Sequence, residues 1–570
     1  MQDSAPIKLL DPDIAAKIAA GEVVERPVSV VKELIENSLD AGATHIVVEV
    51  RGGGVDYIRV SDNGRGISSK EVELAFHRHA TSKIANVEDL YAIKTLGFRG
   101  EALHSIAAVS CISLISCRIG MSIGYEGRFM WGQYMGGGSV GCPVGTSVTV
   151  NDVFGNQPAR RKFLKTMSSE ASRISDLVSR VALGFPEVRF QLSIEGRIAL
   201  TTTGSGKLLD AITSVYGRKI ASEMLQFVCE GTDCSAFGFV SPPSLARANR
   251  SYMTLFVNRR WIESRTLSFA LAQSYHGLMA DRRYPIAIVN LSVPYDEVDV
   301  NVHPSKREVR FHAESQLFSA LQKGIREALV SSAPVPVVQF SVGKSSSPES
   351  ENDKEPRILD WAGEWFGSKQ SLPADVSKPA EIMPLIRILG QVKNTYVVAE
   401  GPDGLYLIDQ HAAHERVLFE KLRHGFLANN LVVQPLLQPV VFDLSPAQDE
   451  TLRGCLEPLN KYGFLIETFG DRSYLLRAVP AILTYAKEKA LVDILDMERL
   501  EATLKDRQES LAASVACHGS VRGGMVLNQQ EMEALVHQLG ASENPHTCPH
   551  GRPTMIHISS YRLEREFGRK

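Results

Sequence analysis

Cysteine is scarce: 8 in 570 residues, with no CxxC pair among them. A disulfide-stapled framework is therefore excluded, and a reducing compartment is expected. No apolar run reaches the ~18 residues that span a bilayer. The start, MQDSAPIKLLDPD, has no basic segment leading into an apolar one, so a cytoplasmic protein is expected. Net charge is nearly absent as well. Lys+Arg 62 against Asp+Glu 65 leaves −3, so nucleic acid can be drawn only by local basic patches, not by a global field. The phosphate loop GxxxxGK[ST] does not occur. The GxGxxG match at 136–141, GGGSVG, precedes the strand-like CPVGTSVTV and opens no helix, so a dinucleotide fingerprint fails in context. There is no internal repeat.

What is present is globular. Hydrophobic residues make up 44% and charged residues 22%, and the length predicts three to five domains at roughly 100–200 residues each. The sharpest composition break is 333–356, APVPVVQFSVGKSSSPESENDKEP, which reads as a linker. Before it, helix-like and strand-like segments alternate as in α/β or α+β domains. A further boundary is expected near Gly204-Ser205-Gly206, after the strand pair FQLSIEG and RIALTTT.

Residues 29–41, SVVKELIENSLDA, sit between Pro27 and Gly42, good start and stop signals for a helix. Val30, Val31, Leu34, Ile35 and Leu39 share one face. Glu33, Glu36, Asn37 and Asp40 form a single polar stripe on the other. Spacing alone fits a solvated face equally well. The strand VDYIRV at 55–60 runs into Ser61-Asp62-Asn63-Gly64-Arg65-Gly66, where Asp62 can accept from an exocyclic amine such as that of adenine, or simply cap a turn. Thr95-Leu96-Gly97-Phe98-Arg99-Gly100-Glu101 is a glycine-bearing loop opening a helix, whose free N–H groups can hold phosphate oxygens.

In the last third, GLYLID (404–409) reads as a strand ending at Asp409, followed by a helix with His411 and Glu415 four apart on one face. Ala516-Cys517-His518 and Cys548-Pro549-His550 lie far along the chain. Together they offer the N, O and S donors that zinc favours, although buried thiols and surface histidines fit the spacing equally well. Basic clusters occur at Arg160-Arg161-Lys162 with Lys165 and at Arg259-Arg260 beside Trp261. Each is a candidate DNA contact or plain solvated surface.

In this order, ELIENSLDAGA, SDNGRGI, TLGFRGEAL and GTSVTV resemble the ATP site of the gyrase, chaperone, histidine kinase and MutL (GHKL) superfamily. IAAGEVVERPVSVVKELIENSLDAGA, RHATSKI, NQPARRKFL and NVHPSKREVRF narrow the resemblance to the MutL family of DNA mismatch-repair ATPases. DQHAAHERVLFE, ACHGSVRGG and CPHGRP are similar to the motifs of its endonuclease-bearing members.

The resemblance implies a multidomain α/β (α+β) chain. An ATPase sandwich of mixed sheet and helices occupies 1–204 and a second βαβ-type α/β domain 205–332. A flexible linker at 333–383 leads to a C-terminal α/β dimerisation and endonuclease domain at 384–570. It implies Glu33 as general base and Asn37 as ligand of the Mg²⁺ on ATP. Asp62 would read adenine, with Gly66, Thr81 and Thr146 in the nucleotide pocket and Gly97, Phe98, Arg99 and Gly100 in a lid. Lys306, in NVHPSK, would reach the γ-phosphate. Residues near 7–25 would help close an ATP-dependent dimer of the N-terminal arms.

Asp409, His411, Glu415, Cys517, Cys548 and His550 would hold Zn²⁺ together with Mn²⁺ or Mg²⁺. Asp409 and Glu415 would serve strand incision, and Glu420 completes the motif but points off their helical face. Gln434-Pro435-Leu436-Leu437-Gln438-Pro439 resembles the family's sliding-clamp segment. Double-stranded DNA without strong sequence preference, MutS and a second copy of the chain are the other implied partners. The function implied is ATP-gated nicking in mismatch repair. A matchmaker ATPase without nuclease activity remains the alternative.

Overall fold

The protein was analysed as a computed structural model. The described residues run from 24 to 332 and from 386 to 569, less short internal stretches that include 85, 87–94, 98–99, 300–308, 497–511, 517–518 and 550–551. Phe98, Arg99, Lys306, Cys517 and His550 therefore lie outside the described residues. So do the expected linker and nearly all of the arm segment at 7–25.

Helix α1 (Pro27–Asp40) starts on Pro27 at its first turn and is followed by Gly42 at φ +73°. Both are consistent with the signals in the sequence. Val30, Val31, Leu34 and Ile35 are buried, each contributing about 1.5–3 kcal/mol through removal from water. They pack on an eight-stranded sheet of order β5-β4-β3-β6-β2-β1-β7-β8. Its strands are β1 (His45–Arg51), β2 (Tyr57–Asp62), β3 (Cys111–Cys117), β4 (Gly124–Met130), β5 (Gln133–Val140), β6 (Gly145–Asn151), β7 (Arg189–Ile194) and β8 (Arg197–Thr201). Only the β1–β7 pairing in this sheet is parallel. Helices α2 (Ala102–Ala108) and α3 (Met167–Gly184) complete the layer, and α3 shares the core with α1. The GGGSVG stretch lies in β5 and at its end, not at a helix start.

The second unit begins with α4 (Leu208–Tyr216), whose Leu208, Ala211, Ile212 and Val215 join the first core. Its sheet has order β12-β11-β13-β10-β9. The strands are β9 (Leu225–Glu230), β10 (Ser235–Val240), β11 (Met253–Val257), β12 (Arg260–Ile262) and β13 (Ala287–Ser292), covered by α5 (Arg265–Ser274) and α6 (Glu314–Ser332).

The C-terminal unit has two layers. A sheet of β14 (Arg387–Val392), β15 (Tyr396–Gly401), β16 (Gly404–Asp409) and β20 (Met555–Ser559) packs on α7 (Gln410–Leu427) and α9 (Gln529–Gly540). Beside it, β17 (Val433–Asp443), β18 (Leu465–Thr468) and β19 (Ser473–Pro480) carry α8 (Pro446–Lys461). Helix α8 lies against α3 of the first unit, where Ser172 Oγ donates to the Ala447 carbonyl at 2.9 Å. Arg197 pairs there with Asp449 at 2.8 Å and with Glu450. Among the described residues no helix is long and apolar enough to cross a membrane.

Candidate functional site

The polar stripe of α1 is no solvated face: Glu33, Glu36, Asn37 and Asp40 are all partly buried. Lys32 lies between Glu33 Oε1 (3.2 Å) and Glu36 Oε1 (2.8 Å). Burial pulls the Lys32 ammonium down, but the two carboxylates outweigh it and its pKa is raised. Sheet register builds the floor. Antiparallel pairing of β6 with β2 sets Thr146 opposite Asp62, and pairing with β3 sets Thr146 opposite Ser116.

Asp62 Oδ2 accepts from Ser38 Oγ at 2.8 Å, while Oδ1 accepts from Gly64 N (2.8 Å) and Thr146 N (3.3 Å). It is thus both a strand-end carboxylate and the cap of the following turn. Burial raises its pKa against those three bonds. Gly66, at φ +69°, lies so close to β3 that a Cβ would stand 2.1 Å from the Cys117 carbonyl oxygen, and only glycine fits there. Thr81 is exposed, and its Oγ1 accepts from Lys83 N at 3.2 Å.

The Thr95–Gly97 turn, which leads into the expected lid, is held from two sides. Asp40 accepts from Leu96 N (2.9 Å) and Gly97 N (3.0 Å), and Arg260 of β12 donates to the carbonyls of Thr95 (2.7 Å) and Leu96 (3.0 Å). Gly100 follows at φ +65°, close against the Ala80 carbonyl. The Arg260 geometry corrects one expectation. Both readings of the Arg259-Arg260 cluster, DNA contact or solvated surface, place Arg260 outside, yet it is 8% exposed and donates to the Thr95–Leu96 turn. Arg259 pairs with Glu187 and lies over the Phe185 ring. In the other cluster Arg161 pairs with Asp56 and Asp152. Lys32, Ser38, Lys83 and Arg260 also line the group around α1, and the roles of the last three depend on long-range partners that residue spacing does not mark. Lys83 did stand in the quoted RHATSKI.

At the other end, β16 delivers Asp409 to the start of α7, where Oδ1 caps the helix by accepting from His411 N (2.9 Å) and Ala412 N (3.0 Å). His411 Nε2 is 3.2 Å from Glu415 Oε1, and its Nδ1 is 3.0 Å from Ser520 Oγ. The 547–554 loop closes on the same helix. Asp409 N donates to Thr554 O (2.9 Å), Arg416 Nε to Thr547 O (2.5 Å), and Cys548 N to Arg552 O (2.8 Å). The Cys548 thiol is 1% exposed.

Ser520, Thr547 and Thr554 are thus brought to the strand end and first turns of α7; Cys517 and His550 lie outside the described residues. Among the described residues no three His, Cys, Asp or Glu side chains form a complete ligand group. The imidazole nitrogen of His411 and the carboxylate oxygen of Glu415, side by side, are donor types that zinc takes, but the Cys548 thiol does not join them in a three-ligand group. Glu420 is committed elsewhere, accepting from Glu543 N (2.8 Å) and Asn544 N (3.3 Å). His414 is buried, and that burial, with Lys421 and His411 nearby, pushes its pKa down to about 4.

Three family models match in chain order. Residues 25–120 match the histidine kinase-, DNA gyrase B- and HSP90-like ATPase, 212–330 the DNA mismatch repair protein C-terminal domain, and 389–527 the MutL C terminal dimerisation domain. The DNA mismatch repair protein MutL of Pelotomaculum thermopropionicum is 39% identical over 607 residues, covering 99% of this chain and 100% of that protein. The chain belongs to the MutL family of DNA mismatch repair proteins. MutL of Desulforudis audaxviator is 40% identical over 577 residues, again covering 99% of this chain and all of the relative. Among solved structures, the Aquifex aeolicus MutL ATPase domain complexed with ADP is 29% identical, covering 53% of this chain and 98% of that chain at a TM-score of 0.39. This MutL-family chain thus carries a GHKL-type ATPase domain, a second α/β unit and the MutL dimerisation domain.

Proposed function

We propose that this MutL-family protein is an ATP-gated DNA-nicking enzyme of mismatch repair. A nucleotide site on α1 and β2 governs a metal-dependent cutter at the start of α7. Glu33 acts as the base that takes the proton from the attacking water, and Lys32 fixes the orientation of its carboxylate. Asp62 accepts from the adenine amine, the floor being set by Gly66 and Thr146. The lid from Gly97 to Gly100 donates to phosphate oxygens, and Lys306 answers to the γ-phosphate. Asn37 is the oxygen donor for Mg²⁺, which neutralises charge on the triphosphate. Positioned base, cation and preorganised donors are what phosphoryl transfer to water requires.

The observation that carries the nuclease half is the 3.2 Å approach of His411 Nε2 to Glu415 Oε1 beside Asp409, at the helix end that Ser520 also reaches; Cys517, Cys548 and His550 complete the proposed ligand set. Zn²⁺ held there, with Mn²⁺ or Mg²⁺, would supply an activated water and charge neutralisation at the scissile phosphate. Asp409 keeps one oxygen on the helix cap throughout. Homodimerisation goes through the C-terminal unit, and double-stranded DNA, MutS and the sliding clamp are the partners. Segment Gln434–Pro439 docks the clamp, supported by a fully exposed Leu437 at a register break in β17. The working domain limits are 1–204, 205–332, 333–383 and 384–570.

Supercoiled circular DNA incubated with Mn²⁺ tests this, comparing wild type with Asp409→Asn. Nicking by wild type alone is expected. Equal nicking by both, or by neither, removes the cutter and leaves a matchmaker ATPase. Glu33→Ala is expected to bind ATP without hydrolysing it.

A further inference from the structure

Beyond the residues assigned above, Lys83 reaches into the site. Its Nζ donates to Asn37 Oδ1 at 2.8 Å and to Asp40 Oδ2 at 2.6 Å. The same Asp40 carboxylate holds the lid's Leu96 and Gly97 amides at 2.9 and 3.0 Å. Gly97 lies directly over the group: a Cβ there would stand 3.1 Å from Lys83 Nζ and 3.9 Å from Asn37 Oδ1. The Lys83 and Asp40 side chains are only 16% and 7% exposed, so solvent screens the pair little.

Two protein groups thus fill two chemical positions. An ammonium is the cation on the Asn37 oxygen, and a carboxylate is the anion beneath the lid's first amides. Magnesium bonds its oxygen ligands at about 2.0–2.1 Å, and an ammonium already 2.8 Å from that same oxygen repels it strongly in a shielded site. Both cations cannot share Asn37 Oδ1.

We propose that Lys83 and Asp40 are positioning residues that link the divalent cation to the lid. Lys83 is the resident cation that the metal displaces from Asn37, and Asp40 is the anchor that ties the same exchange to the Thr95–Gly97 turn. This rests on the reading of α1 as the nucleotide site. It gives that site an internal competitor: metal arrival moves Lys83, and Asp40 exchanges its partner while still gripping the lid turn.

The test uses the full chain and a fluorescent ATP analogue, measuring affinity at saturating Mg²⁺ and again in excess chelator. The ratio of the two affinities is the metal linkage. With Lys83→Met the linkage is expected to rise at least fivefold, because the competitor is gone. A plain phosphate contact by Lys83 would instead weaken both arms equally, and an unchanged or smaller ratio overturns the proposal. Amide hydrogen exchange supplies the second readout: Asp40→Asn is expected to speed exchange at Leu96 and Gly97 at least tenfold without changing α1. Unchanged exchange at those two amides overturns the anchor. Should Asp40→Asn loosen α1 as a whole, the Lys83→Met ratio decides alone. Failure of the wild type to bind the analogue under either condition would instead remove the nucleotide-site reading itself.

Discussion

Arg260 of the second unit donates through Nη2 to the carbonyl oxygen of Thr95 in the lid, at 2.7 Å. Burial lowers the pKa of its guanidinium, opposed by the carboxylates of Glu36, Asp40 and Glu33, yet an arginine keeps its charge in proteins. A cation from one unit therefore holds the Thr95–Gly97 turn of another, the turn that leads into the proposed lid. Arg260→Ala is expected to lower kcat for ATP hydrolysis at least tenfold and to speed amide exchange across residues 95–97. Arg260→Lys, lacking the planar fork, should recover only part of the rate. Steady-state hydrolysis with exchange mass spectrometry checks both.

The burial of Asp62 works against its own ionisation. Burial raises its pKa above the ordinary 3.8, so the folded state holds the proton more tightly than the unfolded chain. The ionised carboxylate then costs stability above that raised value, and the cost disappears below 3.8. Asp62→Asn is expected to raise the melting temperature at pH 7 by roughly 2–4 °C. The gain should vanish as the pH falls through the carboxylate range, and binding of the ATP analogue should be lost. Melting curves from pH 3 to pH 8 test this, and an equal gain at every pH would count against it.

Within one helix, Glu415 is a proposed metal ligand while Glu420 serves as scaffold, accepting from Glu543 N and Asn544 N. Glu415→Gln is expected to reduce the metal retained after dialysis. Glu420→Gln should leave metal content alone but cost about 1–3 kcal/mol, because the amides of Glu543 and Asn544 lose a charged acceptor. Elemental analysis and denaturant unfolding tell the two apart.

Leu437 is fully exposed, so Leu437→Ala should leave stability within about 0.5 kcal/mol. If the segment docks the clamp, the same change abolishes clamp-stimulated nicking while unstimulated nicking persists.

Arg197 joins the first and last units through Asp449 and Glu450. Arg197→Glu sets like charges together there and is expected to lower the sedimentation coefficient. An unchanged value would mean that the two units do not hold this contact in solution.

Much of this was legible in the sequence, for definite physical reasons. Period 3.6 placed Glu33, Asn37 and Asp40 on one face of α1, and the Pro27 and Gly42 signals bounded the helix to within two residues. Strand alternation put Asp62 and Asp409 at strand ends, and i,i+4 spacing brought His411 to Glu415. Long-range partners were not legible. Nothing in the one-dimensional pattern says that Arg260 crosses to a loop some 160 residues earlier or that Lys83 bonds α1. Those contacts depend on sheet register and on how units pack, and they turned an expected surface arginine into a buried one.

The cap made by Asp409 has a consequence for how the protein is loaded. Because Oδ1 is anchored by two backbone amides of its own helix, the head of α7 is expected to keep its shape whether or not the proposed ion is bound. On that reading chelation silences nicking without unravelling the chain, and adding metal back restores it with no refolding step.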